Sequence, residues 1–328
     1  MDISVVMSTY NRCDLLDQDI DALLSQKTDG LEYEVIIVDN NSTDATATKI
    51  ASYAERDRRL RYIFEGRQGV AYGRNAGIAA ARADVIAFCD DDVYVARDWL
   101  QKIHCALLRY PEAEFVGGKV LPVWRQAPPR WIMTKMGPLA LQDYGEEPMR
   151  VSMGNERCLV SACLGVRRRA FDRAGLFPLE TQRVKDSVGS SEDYEWELEV
   201  WKYGGYGMYV PDIICYCEVP SSRLVKSYHR RWHLGHGKFN ALARRRDFEG
   251  GRWRLLDVPA FVYRQIMGAA FGTILHSVKG NSAAAFEQEN YLLFYFGFIR
   301  ERWKAQLSRR NRNLESGSGA MQQPENRA

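Results

Sequence analysis

With 328 residues, 46% of them hydrophobic and 27% charged, the chain has the composition of a globular protein and not of a disordered or fibrous one. Its seven cysteines (Cys13, Cys89, Cys105, Cys158, Cys163, Cys215 and Cys217) are odd in number, scattered and without a CxxC pair, which argues against a disulfide framework or a zinc site and for a reducing compartment. Net charge is only +3, but residues 1–220 carry 26 Lys/Arg against 34 Asp/Glu while residues 221–313 carry 18 against 6, so an acidic body precedes a basic part that suits a polyanionic partner or is a solvated helix face.

The N-terminus shows no basic stretch leading into an apolar one; it starts at once with Ile3–Met7, and the protein is expected in the cytosol. The first 120 residues alternate short apolar β-rich runs with longer amphipathic ones, the pattern of an α/β domain with a largely parallel sheet. Strands are expected at Ile3–Met7, Glu34–Val38, Leu60–Phe64 and Val85–Phe88, and helices at Leu15–Gln26 and Asp44–Arg56, with Ser42 and Asp44 as cap candidates. The second strand delivers Asp39, Asn40, Asn41 and Ser42 to its carboxyl end, where ligands bind in open α/β sheets. A carboxylate and two amides suit the polar edge of a nucleobase; a capped turn accounts for Ser42 and Asp44 but not for Asp39. The run Ala87-Phe88-Cys89 ends in Asp90, Asp91 and Asp92, whose charges repel one another unless a cation sits among them. Mg2+ or Mn2+, which take oxygen ligands and share a diphosphate, fit that need. The alternative is a solvated acidic turn, and such turns usually contain Gly or Asn rather than follow a buried β-run.

Residues 121–190 lose the alternation and gain Pro122, Trp124, Pro128, Pro129 and Trp131, the mark of loops over a sheet edge that carry substrate contacts. Trp124 and Trp131 suit either the apolar face of a sugar ring or a local core plug. A helix is expected from Glu192 to Tyr203, stopped by Gly204-Gly205, and a last strand over Gly207–Pro211; that Ser190 or Ser191 simply caps the helix, with Glu192 and Asp193 complementing its dipole, is one reading of its start. Beyond Pro220 the chain is basic and helical. Its apolar stretches Gln265–Val278 and Tyr291–Ile299 fall short of the ~20 residues that cross a bilayer. Basic flanks (Arg264, Lys279, Arg300, Arg302 and Lys304) let both lie in an anionic headgroup plane; ordinary packing is the alternative. Residues 314–328 are expected to form a flexible tail.

Taken together, Ser8-Thr9-Tyr10-Asn11-Arg12, Val38–Asp44, Gly69–Gly77 and Asp90-Asp91-Asp92 resemble, in the right order, the family 2 glycosyltransferases of the GT-A fold, over roughly residues 2–240. The resemblance implies a mixed, mostly parallel sheet flanked by helices, with a nucleotide-sugar half (1–120) and an acceptor half (121–220); the charge and pattern of the chain add a basic helical extension (221–313). It places Thr9, Tyr10, Arg12, Asp39, Asn41, Arg74, Asp90 and Asp91 around the nucleotide and its diphosphate, with Asp39 on the base, Arg74 on the diphosphate and Asp90 on the ribose side. Asp92 would hold the metal, Mn2+ or Mg2+. Ser191-Glu192-Asp193 is similar to the family's Gly-Glu-Asp element, which implies Asp193 as general base and Glu192 as an acceptor or supporting contact. Gly117–Trp124 and Pro129-Arg130-Trp131 resemble the acceptor segment of bacterial polysaccharide members.

Two departures stand out. Where many relatives have a histidine after the last strand, this chain has Cys215-Tyr216-Cys217-Glu218, so Cys217, Glu218 or one of His229, His233 and His236 is a candidate to complete the metal or diphosphate site, although a shared basic helix face explains the histidines too. Tyr228 replaces the glutamine of the Gln-x-x-Arg-Trp element of processive synthases, which favours single addition. The expected activity is inverting transfer from a nucleotide diphosphate sugar, UDP by family frequency, to a saccharide or lipid-linked saccharide in surface polysaccharide or glycolipid assembly, peripheral to the inner membrane face. A sugar nucleotidyltransferase would want a glycine- and basic-rich loop after the first strand, and Ser8–Arg12 is not one. A basic nucleic-acid-binding protein would leave Asp90–Asp92 unexplained.

Overall fold

A computed structural model describes residues 1–132, 137–182, 191–243, 249 and 253–319, with side chains through residue 308. Contacts divide the chain into two compact units, one of Met1–Ser187 and Ser191–Val225, the other including Lys226–Ala328.

The first unit is built on strands β1 (Ile3–Thr9), β2 (Tyr33–Asp39), β3 (Leu60–Phe64), β4 (Val85–Asp90), β5 (Val93–Val95), β6 (Phe115–Trp124), β7 (Met149–Val151), β8 (Cys163–Arg167) and β9 (Gly207–Val219), with helices α1 (Leu16–Leu24), α2 (Thr46–Arg56), α3 (Val70–Ala80), α4 (Trp99–Arg109), α5 (Arg168–Ala174) and α6 (Glu192–Lys202). The sheet order is β3-β2-β1-β4-β8-β6-β9-β5, and β7 also pairs with β9. The pairs among β3, β2, β1 and β4 are parallel, β8 is antiparallel to both neighbours, and β9 runs parallel to β6. This is the mixed, mostly parallel sheet flanked by helices that the resemblance implies.

Both sheet faces are buried, so β1 and β2 are apolar almost throughout and their alternate residues serve opposite cores. Ile3, Val5, Met7, Val35 and Ile37 join Leu16, Ile20, Trp99, Ile103 and Leu107 of α1 and α4, while Val6, Ile36, Val38, Ile86 and Phe88 join residues of α3, α5 and α6. The second core is ring-rich: Phe88 lies 5.5 Å from Phe177, and Phe171 lies 4.9 Å from Trp196. Burying rings of this size contributes roughly 1.5–3 kcal/mol each and seats α6 beside α3. On its other side α3 presses on β1, where a Cβ at Gly73 would stand 2.0 Å from Ser8 Oγ and one at Gly77 2.2 Å from Val6.

Two expectations are corrected, and one alternative reading finds no support. Residues 121–190 are not only loops over an edge: β6 runs on to Trp124, and β8 lies in the middle of the sheet between β4 and β6. The last strand does not stop at Pro211 but continues to Val219; the pairing partner steps from Tyr209 to Ile214 while β6 advances only from Gly117 to Lys119, so Pro211 sits in a bulge where it forfeits no ladder bond. Ser191 precedes α6, but no side-chain cap bond forms there, and Ser190 lies outside the described residues.

The second unit has α7 (Lys226–Ala243), a small hairpin of β10 (Arg254–Leu255) and β11 (Val258–Pro259), α8 (Ala260–Val278) and α9 (Ser282–Gly319). Backbones of α7 and α9 come close at two glycines: a Cβ at Gly237 would meet Phe294 O at 2.0 Å, and one at Gly297 would meet Leu234 O at 2.2 Å. Buried Arg302 bonds Asp257 at 3.2 Å and also pairs with Glu249. Of the two readings of the Tyr291–Ile299 stretch, its end follows packing: Phe298 and Ile299 join a core with Ala241, Val258 and Val262. Helix α9 reaches Gly319, so 314–319 are helical rather than tail, and 320–328 lie outside the described residues. No helix among the described residues is long and apolar enough to cross a membrane.

Candidate active site

The carboxyl ends of β1, β2 and β4 converge, and the loops after the first two are laced together. Asn11 donates its N–H to Ser42 Oγ at 3.0 Å, and its side-chain Oδ1 accepts the Thr43 N–H at 2.8 Å. Cys13 donates to Asp44 Oδ2 at 3.3 Å, while Asp44 Oδ1 accepts the N–H of Thr46, the first residue of α2. Asp44 thus satisfies a free amide at the helix start, and Ser42 serves the neighbouring loop instead. Asn11 and Asn41 both take left-handed backbone conformations, φ 51° and 65°, which asparagine tolerates.

Asp39, expected on the nucleobase, is buried; its Oδ1 accepts the Ser42 N–H at 2.9 Å and its Oδ2 the Tyr62 hydroxyl at 3.2 Å. The turn therefore does account for Asp39. Asn41 is exposed beside it, and Tyr10 and Arg12 are partly exposed at the end of β1. Thr9 is buried and donates to Asp91 Oδ2 at 2.8 Å, so Thr9 and Asp91 face one another inside the protein. Burial, and then the charge of Asp92, push Asp91 up to about 6 against the pull of Arg12 and Thr9.

Arg74 is the hub of the site. Its Nη2 bonds Asp90 Oδ1 at 2.8 Å, and its Nη1 bonds Glu192 Oε1 at 3.0 Å and Asp193 Oδ1 at 3.2 Å. Burial disfavours the charge of this side chain, only 6% exposed, but Asp193, Asp90 and Glu192 outweigh burial and hold it firmly protonated. All three of these bonds are to carboxylates. Glu192 is buried, whereas the Asp193 side chain remains 20% exposed.

Sequence reasoning missed the clasp around Asp193. Three consecutive amides are received by two side chains of α6 and one from residue 142: Leu159 N–H by Glu197 Oε1 at 2.9 Å, Val160 N–H by Gln142 Oε1 at 3.1 Å and Ser161 N–H by Asp193 Oδ2 at 3.2 Å. Glu197 lies one turn after Asp193, on the same face of α6, which is the one signal that could have found it. Burial pushes Glu197 well above the usual carboxylate range.

Asp90 and Asp92 keep partly exposed carboxylates, 31% and 22%, and Asp92 Oδ2 accepts from Arg223 Nη2 at 2.9 Å. Arg223 lies in a short turn after β9, with nothing in its sequence context to mark it. Among the described residues no three His, Cys, Asp or Glu side chains are grouped to hold a metal. The two carboxylates nevertheless fit Mg2+ or Mn2+, hard ions that keep several water or phosphate oxygens and need one or two carboxylates from a protein. Of the candidate additional ligands, Cys217 is a buried thiol pushed up to about 12 by burial and then by Asp92, and Glu218 pairs with Arg125 and accepts from Tyr94 Oη at 2.5 Å. His229 and His236 pack near Phe286 and Phe294 of α9, and His236 also stacks on Trp232 at 4.4 Å. Trp124 and Trp131 are half-buried against the core, which favours the core-plug reading.

Asp19 of α1 is buried, both its carboxylate oxygens lack a hydrogen-bond partner among the described residues, and burial followed by Asp91 and Asp92 pushes it up from 3.8 to about 8. Between those pH values the unfolded chain has released a proton that the folded chain keeps, so stability falls as pH rises through the window. Asp19→Asn removes that effect. Its melting temperature relative to the parent should therefore rise from pH 4 to pH 8, with a gain on the order of 2–5 kcal/mol at the top. A difference between variant and parent that ignores pH would mean that Asp19 is ionised in the folded state.

The sequence model of Glycosyl transferase family 2 matches residues 4–175, a little over half of the chain. Validoxylamine A glucosyltransferase of Streptomyces hygroscopicus subsp. jinggangensis is 38% identical over 106 residues, 32% of this chain and 25% of that protein, so the match spans about a quarter of the relative's length. Among solved structures, the mannosyltransferase PcManGT from Pyrobaculum calidifontis in complex with GDP-Man and Mn2+ superposes with a TM-score of 0.61 at 18% identity, covering 92% of this chain and 87% of that one. S. aureus TarS in complex with UDP gives 0.53 at 17% identity, covering 92% of each. At these identities the likeness to the solved structures is one of fold.

Proposed function

Because the chain belongs to glycosyl transferase family 2, we propose that it moves one sugar from a nucleotide diphosphate donor to a saccharide or lipid-linked saccharide, with inversion at the anomeric carbon. The observation that carries this reading is the Arg74 hub, which joins Asp90 at the end of β4 to Asp193 at the start of α6. One carboxylate thereby stands on the donor side and another on the acceptor side of a single buried cation.

In this reading Asp193 takes the proton of the acceptor hydroxyl as that oxygen attacks the anomeric carbon and the bond to the diphosphate breaks. Arg74 and the Ser161 amide fix its two oxygens, so the carboxylate is oriented before the acceptor arrives. A single base acting in line gives inversion. Mn2+ or Mg2+ held by Asp92, with Asp90 beside it, would neutralise the charge growing on the departing diphosphate. Tyr10, Arg12 and Asn41, exposed or partly exposed at the ends of β1 and β2, are the residues we assign to the nucleotide.

We propose a UDP-sugar as the donor, in keeping with the UDP bound to S. aureus TarS; the GDP-Man bound to PcManGT makes GDP the competing base. We place the reaction in surface polysaccharide or glycolipid assembly, on the inner face of the cell membrane. A thermal-shift panel of UDP, GDP, TDP and CMP sugars, with and without Mn2+, tests the donor. A ligand bound only by the folded state raises the melting temperature with its occupancy. The expected result is a rise for UDP-sugars that requires Mn2+; no rise with any donor would overturn the reading, and a rise for GDP-sugars alone would change the base.

A further inference from the structure

Helix α8 carries an apolar stripe that the packing of its own unit leaves uncovered. Met267, Phe271, Ile274 and Val278 recur at i, i+4, i+7 and i+11, the spacing of one helix face, and are 64%, 67%, 64% and 82% exposed. The opposite side is already used, with Val262 and Ala269 buried. Four large apolar side chains in a row against water mark an interaction site rather than an ordinary soluble surface. The helix and its immediate flank carry charge of one sign only. Exposed Arg264 stands one turn before Met267, exposed Lys279 follows Val278, and α8 contains no Asp or Glu.

We propose that this face of α8 docks the protein on an anionic lipid surface, with the helix lying in the headgroup plane, the stripe entering the acyl boundary and Arg264 and Lys279 meeting lipid phosphates. The inference rests on the membrane-face reaction proposed above and names the surface that would serve it. The helix lies in the plane because it is not long and apolar enough to cross. A second copy of the chain fits the stripe less well. Antiparallel pairing of two α8 helices sets Arg264 of one copy beside Lys279 of the other, parallel pairing sets like residues side by side, and the helix has no acidic group to compensate either arrangement. Anionic headgroups turn that same charge into attraction.

Flotation of the full-length protein with vesicles of phosphatidylcholine alone, and of phosphatidylcholine mixed with phosphatidylglycerol, tests the proposal. The protein is expected to float with the mixed vesicles, to be released by salt and to ignore the neutral ones. Phe271→Ser with Ile274→Ser should lower vesicle partitioning by roughly tenfold per side chain. Arg264→Gln with Lys279→Gln should lower it about fivefold per charge, on the mixed vesicles only. All four positions are exposed, so the melting temperature should hold. A parent that ignores mixed vesicles at low salt, or a serine variant that binds as the parent does, would overturn the proposal. A parent that sediments as a dimer and is made monomeric by the serine changes would assign the face to a second copy and equally overturn it. Thermal shift by UDP with Mn2+ in the same preparations reads the donor site separately: the shift without vesicle binding defeats the docking alone, and vesicle binding without the shift defeats the transferase reading alone.

Discussion

Asp193→Asn is expected to leave donor affinity nearly intact and to lower turnover by ~10²-fold or more, the effect typical of losing a general base. The carboxamide keeps the shape and an oxygen for the Ser161 amide, 3.2 Å away, but it has no site to take a proton and no charge for Arg74. Because Arg74 still holds Asp90 and Glu192, the hub should stay assembled and the donor side should be little disturbed. Single-turnover rates with saturating donor, set beside donor affinity by calorimetry, separate the two effects. Turnover within a few-fold of the parent would place the base on another group.

Asp92→Asn is expected to abolish the Mn2+ dependence of donor binding, with a loss of at least ~10–100-fold in apparent metal affinity. The amide keeps an oxygen but not the charge that attracts a hard cation. The same change at Asp91 is the control, because that carboxylate is turned inward onto Thr9 and should leave the Mn2+ dependence in place. Calorimetry with UDP, with and without Mn2+, reads both variants. Unchanged Mn2+-dependent binding in Asp92→Asn would move the metal assignment away from this residue.

Elements whose identity follows from local pattern were legible in the sequence. The apolar runs of β1, β2 and β4 mark themselves, since strands buried on both faces contain almost nothing else, and the acidic cluster stands out because it ends such a run. The helix from Glu192 was readable from its start and its glycine stop. What was not legible depends on partners far along the chain. Strand β8 lies in mid-sheet because its neighbours arrive from residues 85–90 and 115–117, and no periodicity announces that. Pro211 reads as a strand end until the bulge that accommodates it is seen. The inward turn of Asp91, the burial of Glu192, the partnerless Asp19 and the link from Arg223 to Asp92 all arise from approaches between segments distant in sequence. Charge alone likewise gave the two apolar C-terminal stretches equal standing, and packing separates them: Phe298 and Ile299 are inside, and the α8 stripe is outside.

The pairing of β5 sets an order of events during folding. The pairs β1–β2 and β2–β3 join neighbours in sequence through short parallel crossovers and can form early. Strand β5, which holds the far side of the acidic segment, finds its strand partner among the described residues only in β9, with Val93 opposite Cys217 and Val95 opposite Cys215. Closing that loop requires the whole intervening chain, an entropic cost that delays the contact until the sheet is otherwise built. Asp92, adjoining β5, is therefore among the last residues to be fixed, and a nascent chain still short of β9 would carry the acidic segment without the geometry to hold a cation.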